Sequence, residues 1–203
     1  QPTWRMFERP EIKKRSSLLN DQREVMGCAL RTLGYDVNST DQKQIDEAVA
    51  LIQKWKQNIA KFEVDDAKRA LASGEFFLIQ TYSGDMLQAL DENENIEFVF
   101  PKEGYIFTAD TFVIPADASN VDLAYDFINF MHRPEIAAEN MQFVKFRCPN
   151  TEALKMLPEK LKNKPSINPA KALWDAAMPT LDLGADTRLY NAAWDKIKSG
   201  SGD

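Results

Sequence analysis

Histidine occurs once, at His132, too few for a histidine-rich metal cage or a histidine-based catalytic relay. Cysteine occurs twice, and Cys28 and Cys148 stand far from any metal-ligand spacing. Cys148 precedes Pro149 without a neighbouring histidine or second cysteine, so nothing marks it as an activated thiol. Both are read as free thiols, because a pairing over that separation is not deducible from sequence. No apolar run approaches the roughly 18 residues of a membrane span. No signal-peptide pattern opens the chain, though a mature chain would have lost one. Phosphate-binding glycine loops, nucleophile elbows, internal repeats and low-complexity tracts are also missing. No cofactor, metal or catalytic activity is expected.

A basic excess is lacking too. The 25 Lys plus Arg residues face 31 Asp plus Glu, a formal charge of -6, which disfavours nucleic acid as a partner. It weakly favours cationic ones. Lys13-Lys14-Arg15 and the lysines from Lys160 to Lys164 are short basic patches, read as solvated loops or a protein contact. What is present is bulk: 203 residues with 44% hydrophobic side chains support a sizeable core.

The apolar pattern alternates between strand-like and helical segments. Leu18 to Asp21 reads as a strand running into a helix, with Asp21 and Glu24 at capping-box spacing. Val25, Cys28, Ala29 and Leu33 then follow at helical intervals, and Gly34 supplies the stop. A second helix from near Thr40 aligns Ile45, Val49, Ile52 and either Trp55 or Ile59. Phe62–Asp65 reads as extended and Asp66–Leu71 as a short helix. Phe76–Thr81 (FFLIQT) has the near-continuous apolarity of a buried parallel strand. Ile96–Phe100 and Thr111–Ile114 read as further strands. Asn120 caps a helix, Pro134 opens another, and the last helix spans about Thr187–Lys198. Strands separated by helices predict an α/β protein. Chain crossings at 104–108 and 150–155 divide it into a main lobe, 1–105 with 155–203, and a partial second lobe, 108–150. That second piece holds too little apolar layer to fold alone.

The carboxylates and aromatics at strand–helix junctions are the candidate binding groups. Asp21 is either a helix cap or an anion facing a cleft, and Glu24 either closes the capping box or projects toward a ligand. Tyr82 offers a ring face to a cation or serves as a plug at a strand end. Ser83 is a hydrogen-bonding candidate beside it. Asp110 is either a turn residue or a carboxylate that neutralises an amine facing Asp21 and Glu24. Phe146 is either loop packing or an aromatic wall.

Five segments join these signals: SLLNDQREVMGCALRTLGY (17–35), ASGEFFLIQTYSGD (72–85), FPKEGYIFTADTFVIP (100–115), LAYDFINFMHRPEIAAE (123–139) and WDKIKSG (194–200). Through them, and over nearly all its length, the chain resembles the spermidine/putrescine-binding family of periplasmic solute-binding proteins of ABC importers. The resemblance implies a two-lobed α/β clamshell, with most of one lobe and only part of the other present here. It implies that Asp21 and Glu24 meet ammonium groups, Tyr82 forms an aromatic wall and Asp110 faces them from the other lobe. Phe146 stands where relatives often carry tyrosine, Val64 near a family serine, Thr108 at a familiar tryptophan and Thr180 near a glutamine. Those departures bear on selectivity. The likeness is to the family's carboxyl-terminal portion, so a missing amino-terminal portion or complementary chain is an expected partner. The polyamine and the importer's membrane subunits are the others, and the expected location is periplasmic or extracytoplasmic.

Overall fold

The computed structural model describes residues 1–200. Two short 3-10 turns precede β1 (Ser16–Leu18), which enters α1 (Gln22–Thr32) through Asp21. The Asp21 carboxylate accepts the backbone N–H groups of Arg23 and Glu24 at 2.8 and 3.1 Å, satisfying donors that an uncapped helix leaves orphaned. Gly34, at φ +87°, takes the left-handed turn that releases the chain from the helix. Helix α2 (Gln42–Lys56) follows, capped by Asp41. The chain returns to the sheet as β2 (Lys61–Phe62), passes through α3 (Ala67–Ala72) and enters β3 (Leu78–Ile79). All three strands are parallel in the order β2-β1-β3, with Ser17 opposite both Lys61 and Ile79.

The FFLIQT segment is therefore parallel, as its composition predicts, but not buried throughout. Phe76 and Gln80 are inside, whereas Phe77 is 57% exposed beneath the Arg15 guanidinium, 3.5 Å from its ring centre. Helix α4 (Ser83–Glu92) leaves β3 at the Tyr82–Ser83 junction. The apolar run Ile96–Phe100 forms no strand. It has no ladder partner among the described residues, and its Phe98 and Phe100 rings pack edge-on at 4.9 Å instead.

The next strand is β4 (Tyr105–Phe107), inside the stretch read as a crossing. Thr111–Ile114, expected as a strand, is likewise irregular, and Val113 is 79% exposed. Asn120 caps α5 (Val121–Met131) by accepting the Leu123 N–H at 3.1 Å. Pro134 opens α6 (Pro134–Val144), which ends on Lys145 in the left-handed region at φ +62°. Short helices α7 (Thr151–Lys155), α8 (Glu159–Lys162) and α9 (Lys171–Asp175) lead to β5 (Ala177–Pro179), then to α10 (Thr187–Ser199). Strand β5 pairs in parallel with β4, Ile106 opposite Met178.

Two apolar cores result. The first joins β1, α1, α2 and α10 through Leu18, Leu30, Ile52, Trp55, Tyr190 and Ile197. The second joins Met86 and Leu87 of α4 to Met141 of α6, Ala153 of α7, Leu157 and Ile167. Helix α5 belongs to neither. Although Leu123, Tyr125, Phe127 and Phe130 are apolar or aromatic, none of its residues is buried. Cys28 and Cys148 are both unpaired thiols.

Candidate functional site

A cavity of about 210 Å³ opens where the start of α1, the β3–α4 junction, β4 and the loop after α6 meet. Glu24, Tyr82, Ser83, Thr108 and Phe146 all contribute to its wall. These residues are up to 122 positions apart in the chain, and the fold assembles them.

Glu24 is 7% exposed, one turn into α1. It does not reach back to complete the capping box. Its carboxylate accepts a hydrogen bond from the Thr108 hydroxyl beyond β4, tying α1 to that strand's exit. Burial raises its pKa from 4.5 to about 7; Thr108 works against that rise, Asp21 adds to it and Arg23 opposes it. An acid so poised sheds its proton readily when a cation arrives.

Asp21 has both oxygens engaged. One caps α1 and the other accepts the Tyr82 hydroxyl at 3.1 Å. The Tyr82 pKa is pushed well above its usual value, first by burial, then by the charges of Asp21 and Glu24, with Asp110 contributing least. Tyr82 is thus a neutral donor anchored to Asp21, and it lines the cavity. Asp21 and Asp110 are not themselves in the cavity wall. Asp110 is exposed, and its field reaches the Tyr82 phenol.

Phe146 owes its position to a glycine. A Cβ on Gly84 would lie 2.2 to 2.6 Å from three of its ring atoms, so the ring occupies space that only glycine leaves open. Alanine would gain about 1 kcal/mol of helix propensity, but an overlap of this depth outweighs it. Gly84→Ala is expected to lower stability by about 1–3 kcal/mol. Removing the ring with Phe146→Ala should abolish that effect, a double-mutant cycle readable by chemical denaturation.

Val64 and Thr180 stand away from the cavity. Val64 packs against the first core, and the Thr180 N–H donates to the Phe107 carbonyl at 3.2 Å, extending the β4–β5 pairing. Sequence reasoning also missed part of the wall: Phe98, Tyr105, Arg147 and Trp174 line it. Tyr105 and Trp174 were hidden because the β4–β5 pair was not anticipated. The wall is rich in aromatic rings, with a buried carboxyl and a phenol placed among them. Such a set suits a ligand with apolar segments and a positive charge. Among the described residues no cluster of metal-ligating side chains occurs.

The family model of bacterial extracellular solute-binding proteins matches residues 2–169. The spermidine/putrescine-binding periplasmic protein of Salmonella typhimurium is 34% identical over 198 residues, 98% of this chain and 57% of that protein. A putrescine/cadaverine-binding protein of Pseudomonas aeruginosa is 31% identical, over 93% of this chain and 55% of its own length. The chain thus spans little more than half the length of the curated relatives it matches. Among solved structures, a chain of Listeria monocytogenes assigned to a spermidine/putrescine ABC transporter superposes with a TM-score of 0.92 at 33% identity. The match covers 97% of this chain and 61% of that one. The spermidine/putrescine ABC transporter substrate-binding protein of Streptococcus pneumoniae gives 0.82 at 32% identity, over 98% and 62%. The α/β architecture is that of the periplasmic-binding-protein clamshell. The chain belongs to the bacterial extracellular solute-binding proteins.

Proposed function

We propose that this chain is part of an extracytoplasmic polyamine receptor, which captures putrescine or spermidine and presents it to the membrane subunits of an ABC importer. The observation that carries the reading is one cavity walled by Glu24, Tyr82 and Phe146, with Asp21 directly behind Tyr82. The names of the relatives point the same way. In the proposed site, Glu24 exchanges Thr108 for an ammonium group, and the Tyr82 and Phe146 rings cover the methylenes. No bond chemistry is involved.

Lobes formed by residues 1–105 with 155–203 and by 108–150 are part of this proposal, with the second core, which joins α4 to α6, packed where they meet. Asp110, exposed here, reaches the ligand as the lobes close on it. Thr108 adjusts selectivity directly through Glu24, whereas Val64 and Thr180, away from the cavity wall, have no direct part in it. An amino-terminal portion or complementary chain completes the second lobe, and the uncovered apolar residues of α5 support that role.

The test is calorimetry on the chain joined to such an amino-terminal portion, with putrescine, spermidine, cadaverine and an uncharged polyol. Saturable binding of the amines alone is expected, weakened about 10-fold in Asp110→Asn. Correctly folded protein that takes up none of the amines overturns the proposal.

A further inference from the structure

Of the described residues lining the cavity, two carry a formal charge, Glu24 and Arg147. A guanidinium is out of place in a site meant for a ligand charged positively at every end. Arg147 leaves the left-handed Lys145 turn beside Phe146. Among the described residues it donates one hydrogen bond, from Nη1 to the Ile167 carbonyl at 2.7 Å, and it lies 5.2 Å from the Trp174 ring centre. Among the described residues it forms no salt bridge. A guanidinium has five N–H donors, so most of this fork is unspent.

The two charges act on different stretches of the wall. Glu24 projects from α1 and is held by the Thr108 hydroxyl past β4, whereas Arg147 projects from the loop after α6, held at the Ile167 carbonyl beside the Trp174 ring. One stretch is therefore built for a cation and the other for an oxygen acceptor.

We propose that Arg147 makes this site selective for an amine whose other end carries a carbonyl or carboxylate oxygen, such as a polyamine acylated at one end. The inference rests on the amine-binding reading above and sharpens it. The free ammonium goes to Glu24, and the capped end accepts from the Arg147 fork, a match that a planar bidentate donor makes well. A bare diamine brings its second ammonium toward a like charge, which specific sites use to reject the wrong partner.

The experiment compares putrescine, N-acetylputrescine and 4-aminobutyrate by calorimetry, on the chain joined to the amino-terminal portion proposed above and on two variants. The original protein is expected to bind a capped amine at least about 10-fold more tightly than putrescine. Arg147→Met, which removes the charge and keeps an apolar stem, should reverse that order. Arg147→Lys keeps the charge but loses the planar fork, and should still disfavour putrescine, which separates charge from local structure. Tighter capture of acetylputrescine than aminobutyrate identifies an acyl amide as the cap, and the opposite order a carboxylate. Tightest binding of putrescine, with the order unchanged in Arg147→Met, overturns this inference and leaves the polyamine reading standing. Failure of all three ligands to bind overturns both.

Discussion

Affinity for putrescine should rise about 100-fold between pH 5 and pH 8, and Glu24→Gln should remove that rise. The ammonium binds the ionised carboxylate, and burial holds Glu24 at about 7 in the ligand-free fold. At pH 5 about one molecule in a hundred carries the charge, and at pH 8 most do. The diamine stays protonated across the range, so the dependence belongs to the protein. Below about pH 6 each binding event should release close to one proton, measurable by calorimetry in buffers of different ionisation enthalpy. At pH 8 Glu24→Gln should bind more weakly by about 100-fold or more, because an amide cannot neutralise a desolvated ammonium.

Stability should run the other way. The folded-state pKa of Glu24 lies above its ordinary 4.5, so the folded state holds a proton that the unfolded chain has lost between those values. Its stabilising contribution is fully present below about pH 4.5 and is lost as pH rises through about 7, of order 3 kcal/mol in all. Opposite pH trends for stability and affinity, both flattened in Glu24→Gln, form a signature that ordinary surface carboxylates do not produce.

Trp55→Ala is expected to lose about 3–5 kcal/mol by chemical denaturation. Trp55 is fully buried where α2 backs α1, its ring centre 6.0 Å from that of Phe7. It is the largest side chain enclosed in the first core, so truncation leaves a void the surrounding helices cannot close. Its indole N–H has no hydrogen-bond partner among the described residues. Trp55→Phe should therefore cost much less, since it keeps a ring and discards a buried orphan donor. Amine affinity should survive in whatever fraction stays folded, because Trp55 is absent from the cavity wall.

The local signals that sequence carried were those whose cause lies within a few residues. Asp21 with Arg23 and Glu24, Gly34 after α1, Asn120 before α5 and Pro134 at α6 are caps and stops, and each is where the residue types place it. Glu24 was legible only as a choice between cap and ligand. Its actual partner, Thr108, is 84 residues away, and no local pattern encodes that bond. The Phe146–Gly84 contact was equally hidden: a glycine in a strand-to-helix turn has a sufficient local explanation, and its second use shows only once the ring sits on it. Strand signals failed in both directions. Ile96–Phe100 is apolar enough for a strand but finds no ladder, while β5, Ala-Met-Pro, is too short for an alternating pattern and ends in proline. Because β4 pairs with that segment, Tyr105 and Trp174 joined the cavity wall unannounced.

A crystal structure of the amine-saturated protein, with its amino-terminal portion present, bears on the central claim most directly. An ammonium nitrogen about 2.7–2.9 Å from a Glu24 carboxylate oxygen is the predicted result, with the methylenes running across Tyr82 and Phe146. An amine bound elsewhere, with Glu24 still held by Thr108 and the cavity vacant, would contradict the account.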